Sequence, residues 1–370
     1  MKRYLSSYAV SGSRGRTHAT VAAAALALMW FAAPGHAAGA YDVHMLVSDG
    51  SVPAKFTDHN LKNPWGITFN PQGFDWVANN HSGTSTLYDG NGVANSLIVS
   101  IPGVNGEEAG EPTGIVFSGG TDFVVNDGAK QGAARFIFAG EDGVITGWSP
   151  DVNLNQAIVA INRSGQGASY KGLAIGGNGT AHRIYATNFS SRSVEVFDGN
   201  FKRVSLPGAF VDPQVPAGYA PFGIQNVNGD IIVTYARRMH AADDETAGKG
   251  LGIVDLFDAD GRFISRLASF GELNAPWGVA LAPRSFGTFG GALLIGNFGD
   301  GTINAYDMRT GNFLGKLRRA NGNAVKIEGL WGISFGNGLL NQPTNTLYFA
   351  AGVHDEAGGA YGSITVHSGN

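Results

Sequence analysis

Two long polar segments carry the residues of this sequence that are best suited to chemistry. One, residues 236–250, places His240 close to acidic residues 243–245, and the other, residues 351–361, places His354 beside Asp355. A histidine next to carboxylates can bind a transition metal or act as a base near neutral pH. The alternative is an acidic loop that only water contacts. With His81, which lies in a third polar loop, His240 and His354 are the candidate catalytic residues.

A second set of residues suits a hard cation. Asn79, Asn188 and Asn297 end strand-like segments in equivalent positions, and Glu111 or Glu328 could add a carboxylate. Ca²⁺ takes several oxygen ligands of this kind, so calcium is the candidate cofactor. The alternative, and the commoner use of asparagine, is to cap turns through local backbone hydrogen bonds.

Other polar and aromatic residues are candidates for ligand binding. They share predicted positions in loops that connect strands, and they are His59, Tyr170, Lys171, Tyr219, Arg237, Asp244 and Asp355. The sequence contains no HExxH motif, no dense calcium loop and no P-loop. It also lacks the G-x-S-x-G elbow of α/β-hydrolases.

The elements that must position these residues are short strands in repeated units. Residues 275–307 read as three strands separated by Gly, Asp and Asn turns, which is typical of an antiparallel sheet. The first strand of each unit begins near an equivalent glycine, and these glycines are Gly66, Gly114, Gly172, Gly223, Gly278 and Gly332. Their spacings of 48, 58, 51, 55 and 54 residues are in the range of propeller blades.

The two ends of the chain predict how the array closes. The sixth unit stops after its third strand, residues 362–367, and an unassigned strand, residues 42–48, precedes the first unit. We expect these two strands to pair, because a ring leaves no exposed sheet edge. The alternative is an irregular N-terminal arm beside an incomplete blade. The predicted fold is all-β: a six-bladed β-propeller of four-stranded antiparallel blades, closed by an N-terminal strand.

Such a ring would bring distant loops together. The loops between second and third strands and the loops between blades emerge on one face, so the candidate residues should surround the axial opening of that face. The first-strand aromatic residues Trp65, Phe222, Trp277 and Trp331 are expected to pack between blades, and stacking on a sugar is the alternative.

Composition limits the cellular context and the partners. Basic residues precede an apolar run, residues 19–33, and small residues follow it, which predicts a signal peptide over residues 1–38 and a single propeller domain over residues 39–370. The protein is therefore expected in the periplasm or outside the cell, with no membrane span after signal removal. The net charge of −4 and the absence of a basic stripe make nucleic acid an unexpected partner. Cysteine is absent, so stability must come from packing and ring closure.

The repeated N/A-P-W-G-I/V segments and the Y/F-D-x-x-G turns resemble those of NHL-type six-bladed β-propellers. Over nearly the whole mature length, the stretches LVSDGSVPA, EPTGIVF and ARFIFAGEDG look similar to a family of uncharacterised secreted bacterial propellers. A looser resemblance is to gluconolactonase and paraoxonase-like propellers, which hold an axial Ca²⁺ with Asn, Asp and Glu. That resemblance implies Asn79, Asn188 and Asn297 as ligands, with Glu111 or Glu328 as the acid, and places no catalytic residue.

Two functions follow from these patterns. The first is an exported binding module that holds a small ligand, a glycan or a protein on its polar face. The alternative is a metal-dependent hydrolase, such as a lactonase, with an axial Ca²⁺. Fold alone does not choose between them, because propellers serve both purposes.

Overall fold

The computed structural model describes residues 39–106, 109–239 and 244–369. Nearly all regular structure in these residues is β-strand, in six small antiparallel sheets that form a six-bladed β-propeller. The predicted fold class is therefore confirmed. In this described part of the chain, no helix has the length and apolar character needed to cross a membrane.

The first three blades each contain four strands in chain order from the axis outward. The strands of blade one are Pro64–Phe69, Asp75–Asn79, Thr84–Tyr88 and Val99–Ser100. Those of blade two are Pro112–Phe117, Phe136–Gly140, Val144–Trp148 and Ile158–Asn162. Those of blade three are Tyr170–Gly177, His182–Asn188, Ser193–Asp198 and Arg203–Val204.

The other three blades follow the same order with additions. Blade four has Tyr219–Val227, Asp230–Arg238, Ile253–Phe257 and Phe263–Ser269, and a short strand Glu245–Thr246 pairs with its second strand. Blade five has Pro276–Leu281, Leu293–Asn297, Ile303–Tyr306 and Phe313–Lys316. Blade six has Leu330–Phe335, Leu347–Ala351 and Ala360–Val366. Among the described residues, three single-turn 3₁₀ helices lie in loops, at Asn80–Ser82, Ser164–Gln166 and Gly287–Phe289.

An N-terminal strand completes blade six, as the two ends of the sequence predict. Tyr41–Ser48 pairs antiparallel with Ala360–Val366, in a register that joins Tyr41 to Val366 and Ser48 to Ala360. Phe56–Thr57 then adds a short parallel strand outside it. The ring therefore joins residues more than 300 positions apart, and its closure depends on this strand.

Blade two contains an inserted hairpin. The strand-like sequence of residues 121–126 is equally consistent with the second strand of the blade and with an insertion. In the structure Val124–Asn126 pairs with Gln131–Ala133, in a separate two-stranded sheet. The second strand of the blade is Phe136–Gly140.

The repeated glycines mark where neighbouring blades meet. At each of the six positions, a β carbon would lie 2.1–2.9 Å from the backbone of the first strand in the next blade. For example, a β carbon on Gly66 would meet the Thr113 carbonyl oxygen, and one on Gly332 would meet the Trp65 carbonyl oxygen. Real β carbons essentially never come so close, so only glycine allows the six first strands to pack this tightly around the axis.

Candidate functional site at the axial mouth

An aromatic plug crosses the axis at the start of the first strands. We use this name for Trp65, Phe222, Trp277 and Trp331, each of which directly precedes an anchor glycine and is at most 9% exposed. The ring of Trp331 stacks on that of Trp65 at 3.5 Å between centroids, and Trp277 meets both rings edge to face. These residues therefore pack between blades, as the sequence predicts, and they meet one another across the axis.

Lys171 occupies the same repeat position in blade three, where an aromatic residue would be expected. Its side chain is 3% exposed, and its ammonium group lies 5.4 Å from the Trp65 ring centroid and 5.8 Å from that of Phe189. The Trp277 indole N–H donates to the Lys171 carbonyl oxygen at 2.8 Å, which fixes the backbone at this point. A single cation is thus held against the aromatic plug.

Four carboxylates surround this ammonium, and with Lys171 they define what we call the axial mouth: Glu141, Asp244, Glu245 and Glu356. Glu141 forms a direct ion pair with Lys171 and also accepts a hydrogen bond from the Asn80 amide at 2.9 Å. Asp244 lies 3.8 Å from the Lys171 ammonium with its side chain 73% exposed. Glu245 and Glu356 interact electrostatically with Lys171 and with each other.

Local structure places Glu245 and Glu356 in the mouth. Glu245 begins the short strand that pairs with the end of the second strand of blade four, opposite Arg238. Glu356 ends a run of three non-glycine residues with left-handed backbone, in which His354, Asp355 and Glu356 have φ of 57°, 51° and 67°. Each such residue costs on the order of 1–3 kcal/mol, and strain of this kind tends to occur where function requires it.

Hydrogen bonds within its own backbone and to one carboxylate stabilise the strained turn. The Ala357 N–H donates to the His354 carbonyl oxygen at 3.1 Å, and the Gly358 N–H donates to that of Val353 at 2.9 Å. Glu328 accepts a hydrogen bond from the His354 N–H at 2.9 Å. Glu328 therefore anchors the loop that presents Glu356.

The surroundings of these groups change their pKa values. Burial, with repulsion from Glu245 and Glu141, raises the pKa of Glu356 to about 7. Burial also raises the pKa of Glu245, against the attraction of Lys171. Burial alone would lower the pKa of Lys171, but Glu141, Glu245 and Asp244 together raise it above its usual range.

These shifts define the chemistry available to the mouth. Lys171 stays protonated at neutral pH, so its nitrogen is an ammonium group rather than a nucleophile. Four carboxyl groups against one ammonium leave up to three negative charges without a counter-charge from this cluster. One oxygen of Glu356, Oε1, is buried and has no hydrogen-bond partner among the described residues. The mouth therefore suits a cationic group that can approach from solvent.

Of the candidate ligand-binding residues, the structure brings Lys171 and Asp244 together. Tyr170, next to Lys171, points the other way because side chains alternate along a strand; it is buried and donates to Glu195 at 2.7 Å. His59 lies 3.1 Å from the Asp49 carbonyl oxygen. Tyr219 packs edge to face against Phe270. Arg237 and Asp355 are exposed.

The candidate calcium ligands take part in hydrogen bonds that hold the loops of the ring. Asn188 Oδ1 accepts from the Ser169 and Ser191 N–H groups, and Asn297 Oδ1 accepts from the Asn274 N–H, so both amide oxygens serve their own loops. The Asn79 amide donates to two threonine hydroxyls, while its buried oxygen has no partner in the described structure. The Glu111 carbonyl oxygen accepts from the Glu141 N–H, and Glu328 holds the His354 loop.

Within the described ranges, no group of three or more His, Asp or Glu side chains is arranged to hold a metal ion. The hydrogen bonds of Asn188 and Asn297 are those of the turn-capping alternative. Calcium binding stays a prediction.

Two of the three candidate catalytic histidines, His354 and His81, have exposed side chains. His354 is exposed, and its contact with Glu328 is made by its backbone N–H. His81 is exposed and lies 3.3 Å from the Asn63 amide. His240 lies outside the described residues.

Three members of the mouth were not selected from the sequence. Glu141, Glu245 and Glu356 lie in the second-to-third loops of blades two, four and six, where sequence reasoning emphasised the histidines instead. The available signal was positional, because loops in equivalent positions of a ring must converge.

No family model matches this chain. The chain is 32% identical over 341 residues to uncharacterized protein R648 of Acanthamoeba polyphaga mimivirus, covering 90% of this chain and 82% of that protein. It is 30% identical over 347 residues to uncharacterized protein L690 of the same virus, covering 90% and 87%. The chain therefore belongs to the family that contains these two viral proteins.

Solved structures with similar folds are more distant in sequence. A protein of unknown function from Bacteroides thetaiotaomicron aligns with a TM-score of 0.54 and 11% identity, over 88% of this chain and 76% of that one. Virginiamycin B lyase from Staphylococcus aureus aligns with a TM-score of 0.50 and 12% identity, over 88% and 100%. At this identity the likeness concerns the fold alone, and it agrees with a six-bladed propeller.

Proposed function

We propose that this protein is an exported binding module whose axial mouth holds a small ligand with a positively charged amine. The observation that supports this most is the excess of carboxylates around the single Lys171 ammonium, directly above the aromatic plug. Ammonium groups are stabilised both by carboxylates and by aromatic faces. Lys171 itself illustrates that compatibility, because its ammonium lies against Trp65 and Phe189.

The spread of the carboxylates favours an amine over a compact metal ion. A divalent cation needs its oxygen ligands at about 2–2.6 Å, and no three His, Asp or Glu side chains of the described residues are grouped to hold a metal ion. An amine can instead bridge groups several ångströms apart. Putrescine, with two ammonium groups on a short flexible chain, is therefore a suitable probe.

Proton release provides a specific test. A cation bound near Glu356 would stabilise its carboxylate and lower its pKa from about 7. Putrescine binding should therefore release a fraction of a proton at pH 7, and affinity should increase between pH 6 and pH 8. Calorimetry in two buffers of different ionisation enthalpy measures this release directly.

The control variants follow from the geometry. Glu356→Gln should weaken putrescine binding and abolish most of the proton release, whereas Asp260→Asn, which changes an exposed carboxylate paired with Arg183, should alter neither. Absence of putrescine binding at low ionic strength, or binding that Glu356→Gln leaves unchanged, would contradict the proposal.

One observation supports an enzyme as the second candidate function. A carboxyl group whose pKa is near 7 suits general acid–base catalysis, and Glu356 lies on a strained turn facing the axis region of the ring. The calcium-dependent hydrolase proposed from the sequence would need a metal as well. Stabilisation by added Ca²⁺, reversed by a chelator, would favour that alternative.

A further inference from the structure

The axis below the aromatic plug contains a second cavity with a different chemistry from the mouth. It has a volume of about 270 Å³, and all six first strands contribute to its wall. Trp277 lines it, so the plug forms its ceiling. We call this cavity the axial well. It lies on the opposite side of the plug from Lys171, towards the ends of the first strands.

A ring of aliphatic side chains surrounds the well. Each blade contributes the residue that directly follows its anchor glycine, and these residues are Ile67, Ile115, Leu173, Ile224, Val279 and Ile333. Their exposure, between 3% and 9%, is low. The same repeat that brings the strands together through glycine thus places six branched apolar side chains around one space.

The wall of the well carries no ionisable side chain. Its polar side chains are neutral and lie towards the open end, at Thr68, Gln225 and Ser334. An adjoining cavity of about 280 Å³ shares Gln225 and Ser334 and extends past the Asn226 and Asn228 amides. A cavity lined by aliphatic side chains and backbone groups, with neutral hydrogen-bonding side chains at its opening, suits a small uncharged ligand.

The volume limits the size of the occupant. At roughly 30 Å³ for each water-sized group, the well holds about nine such groups. A methylene group is of similar size, so a chain of about eight carbons fits. A charged group would lose its hydration without a counter-charge in the wall, which is costly.

We propose that the axial well binds an uncharged compound with an alkyl chain of about eight carbons, with its polar head at Gln225 and Ser334. This site is separate from the proposed amine site, and its ligand enters from the other face. Burial of the chain should give a negative heat-capacity change of binding.

The test compares three probes that share one chain length: 1-octanol, octanoate and octylammonium. Calorimetry on the purified protein at pH 7 should show that 1-octanol binds, with a negative heat-capacity change, and that octanoate binds at least tenfold more weakly. Octylammonium could also bind at the mouth, so its binding is measured in the presence of saturating putrescine. In that condition it too should be at least tenfold weaker than 1-octanol.

Variants that fill the well locate the binding. Ile333→Phe and Val279→Phe, at residues 3% and 4% exposed, should each weaken 1-octanol binding at least tenfold and leave putrescine binding unchanged. The matched control is Ile264→Phe, on the outer strand of blade four and 48% exposed, which should bind 1-octanol normally. No 1-octanol binding by the unmodified protein, equal binding of octanoate, or normal 1-octanol binding in a folded filled variant would overturn the proposal. The probe comparison requires no variant, so misfolding cannot hide a failure.

Discussion

Replacing Lys171 with methionine removes the only cation of the axial mouth cluster while keeping most of the length of the side chain. The stem can still pack against Trp65 and Phe189, but Glu141 loses its ion-pair partner. Breaking a buried ion pair costs about 3–5 kcal/mol. Because the Glu141 side chain is 22% exposed and water can partly replace the ammonium, we expect about 2–3 kcal/mol at pH 7.

The assay is urea denaturation at pH 7, with fluorescence and far-ultraviolet circular dichroism as independent probes. Lys55→Met is the matched control, because the exposed Lys55 also lies over an aromatic ring, 5.1 Å from the Phe56 centroid, and forms no ion pair with an acidic residue in the described part of the chain. It should change the free energy of unfolding by less than about 0.5 kcal/mol. Adding Glu141→Gln to Lys171→Met should restore part of the loss, since it removes the unpaired charge. A Lys171→Met protein as stable as the unmodified one would refute the account of a buried, charged mouth.

Three further predictions concern the pH response, the ring and the asparagines. The pKa of Glu356 is raised on folding, so protonation of this carboxyl group favours the folded state. This contribution to the free energy of unfolding should be fully present below about pH 4.5 and lost as pH rises through about 7. Urea midpoints of the unmodified protein and of Glu356→Gln across this pH range measure the contribution. Gly114→Ala should destabilise the folded protein by about 1–3 kcal/mol, because the new β carbon would lie 2.3 Å from the Leu173 nitrogen. Gly165→Ala is the control and should cost far less, because the space around Gly165 is open. Equal losses of stability in thermal melts would contradict the packing role of the repeated glycines. Asn297→Ala should lower the free energy of unfolding by about 1–3 kcal/mol, because the hydrogen bonds to Asn274, Glu272 and Thr302 are lost. A loss of stability that appears only when Ca²⁺ is present would instead support a role of Asn297 in metal binding.

The ring itself could be predicted because its determinants are local and repeated. Each Gly66-like position, with an aromatic or polar residue before it and an aliphatic residue after it, recurs at a spacing typical of propeller blades. The sixth unit also lacked a fourth strand, and an unassigned strand preceded the first unit. Their pairing could be predicted because an exposed sheet edge is unfavourable. The hairpin inserted in blade two could not be recognised from the sequence, because its residues alternate in the same way as those of the strands that form the blades.

The site was less predictable for two physical reasons. Loop position indicates that residues converge, but not which side chain turns inward: Tyr170 and Lys171 are adjacent, and only Lys171 reaches the mouth. The inward direction of Glu356 depends on three consecutive left-handed residues, and the sequence H-D-E gives no sign of that conformation. The role of the asparagines could not be predicted either, because asparagine serves both in turn capping and in metal binding.

The central claim is that carboxyl groups from separate blades share one partly buried mouth with Lys171. Its most direct test is the titration of the Glu356 carboxyl carbon by NMR in protein labelled at glutamate side chains, with Glu356→Gln to assign the signal. The structure predicts a midpoint near pH 7 that falls when Glu245 is changed to glutamine. A midpoint near the ordinary value of about 4.3, unmoved by Glu245→Gln, would show that these groups do not meet.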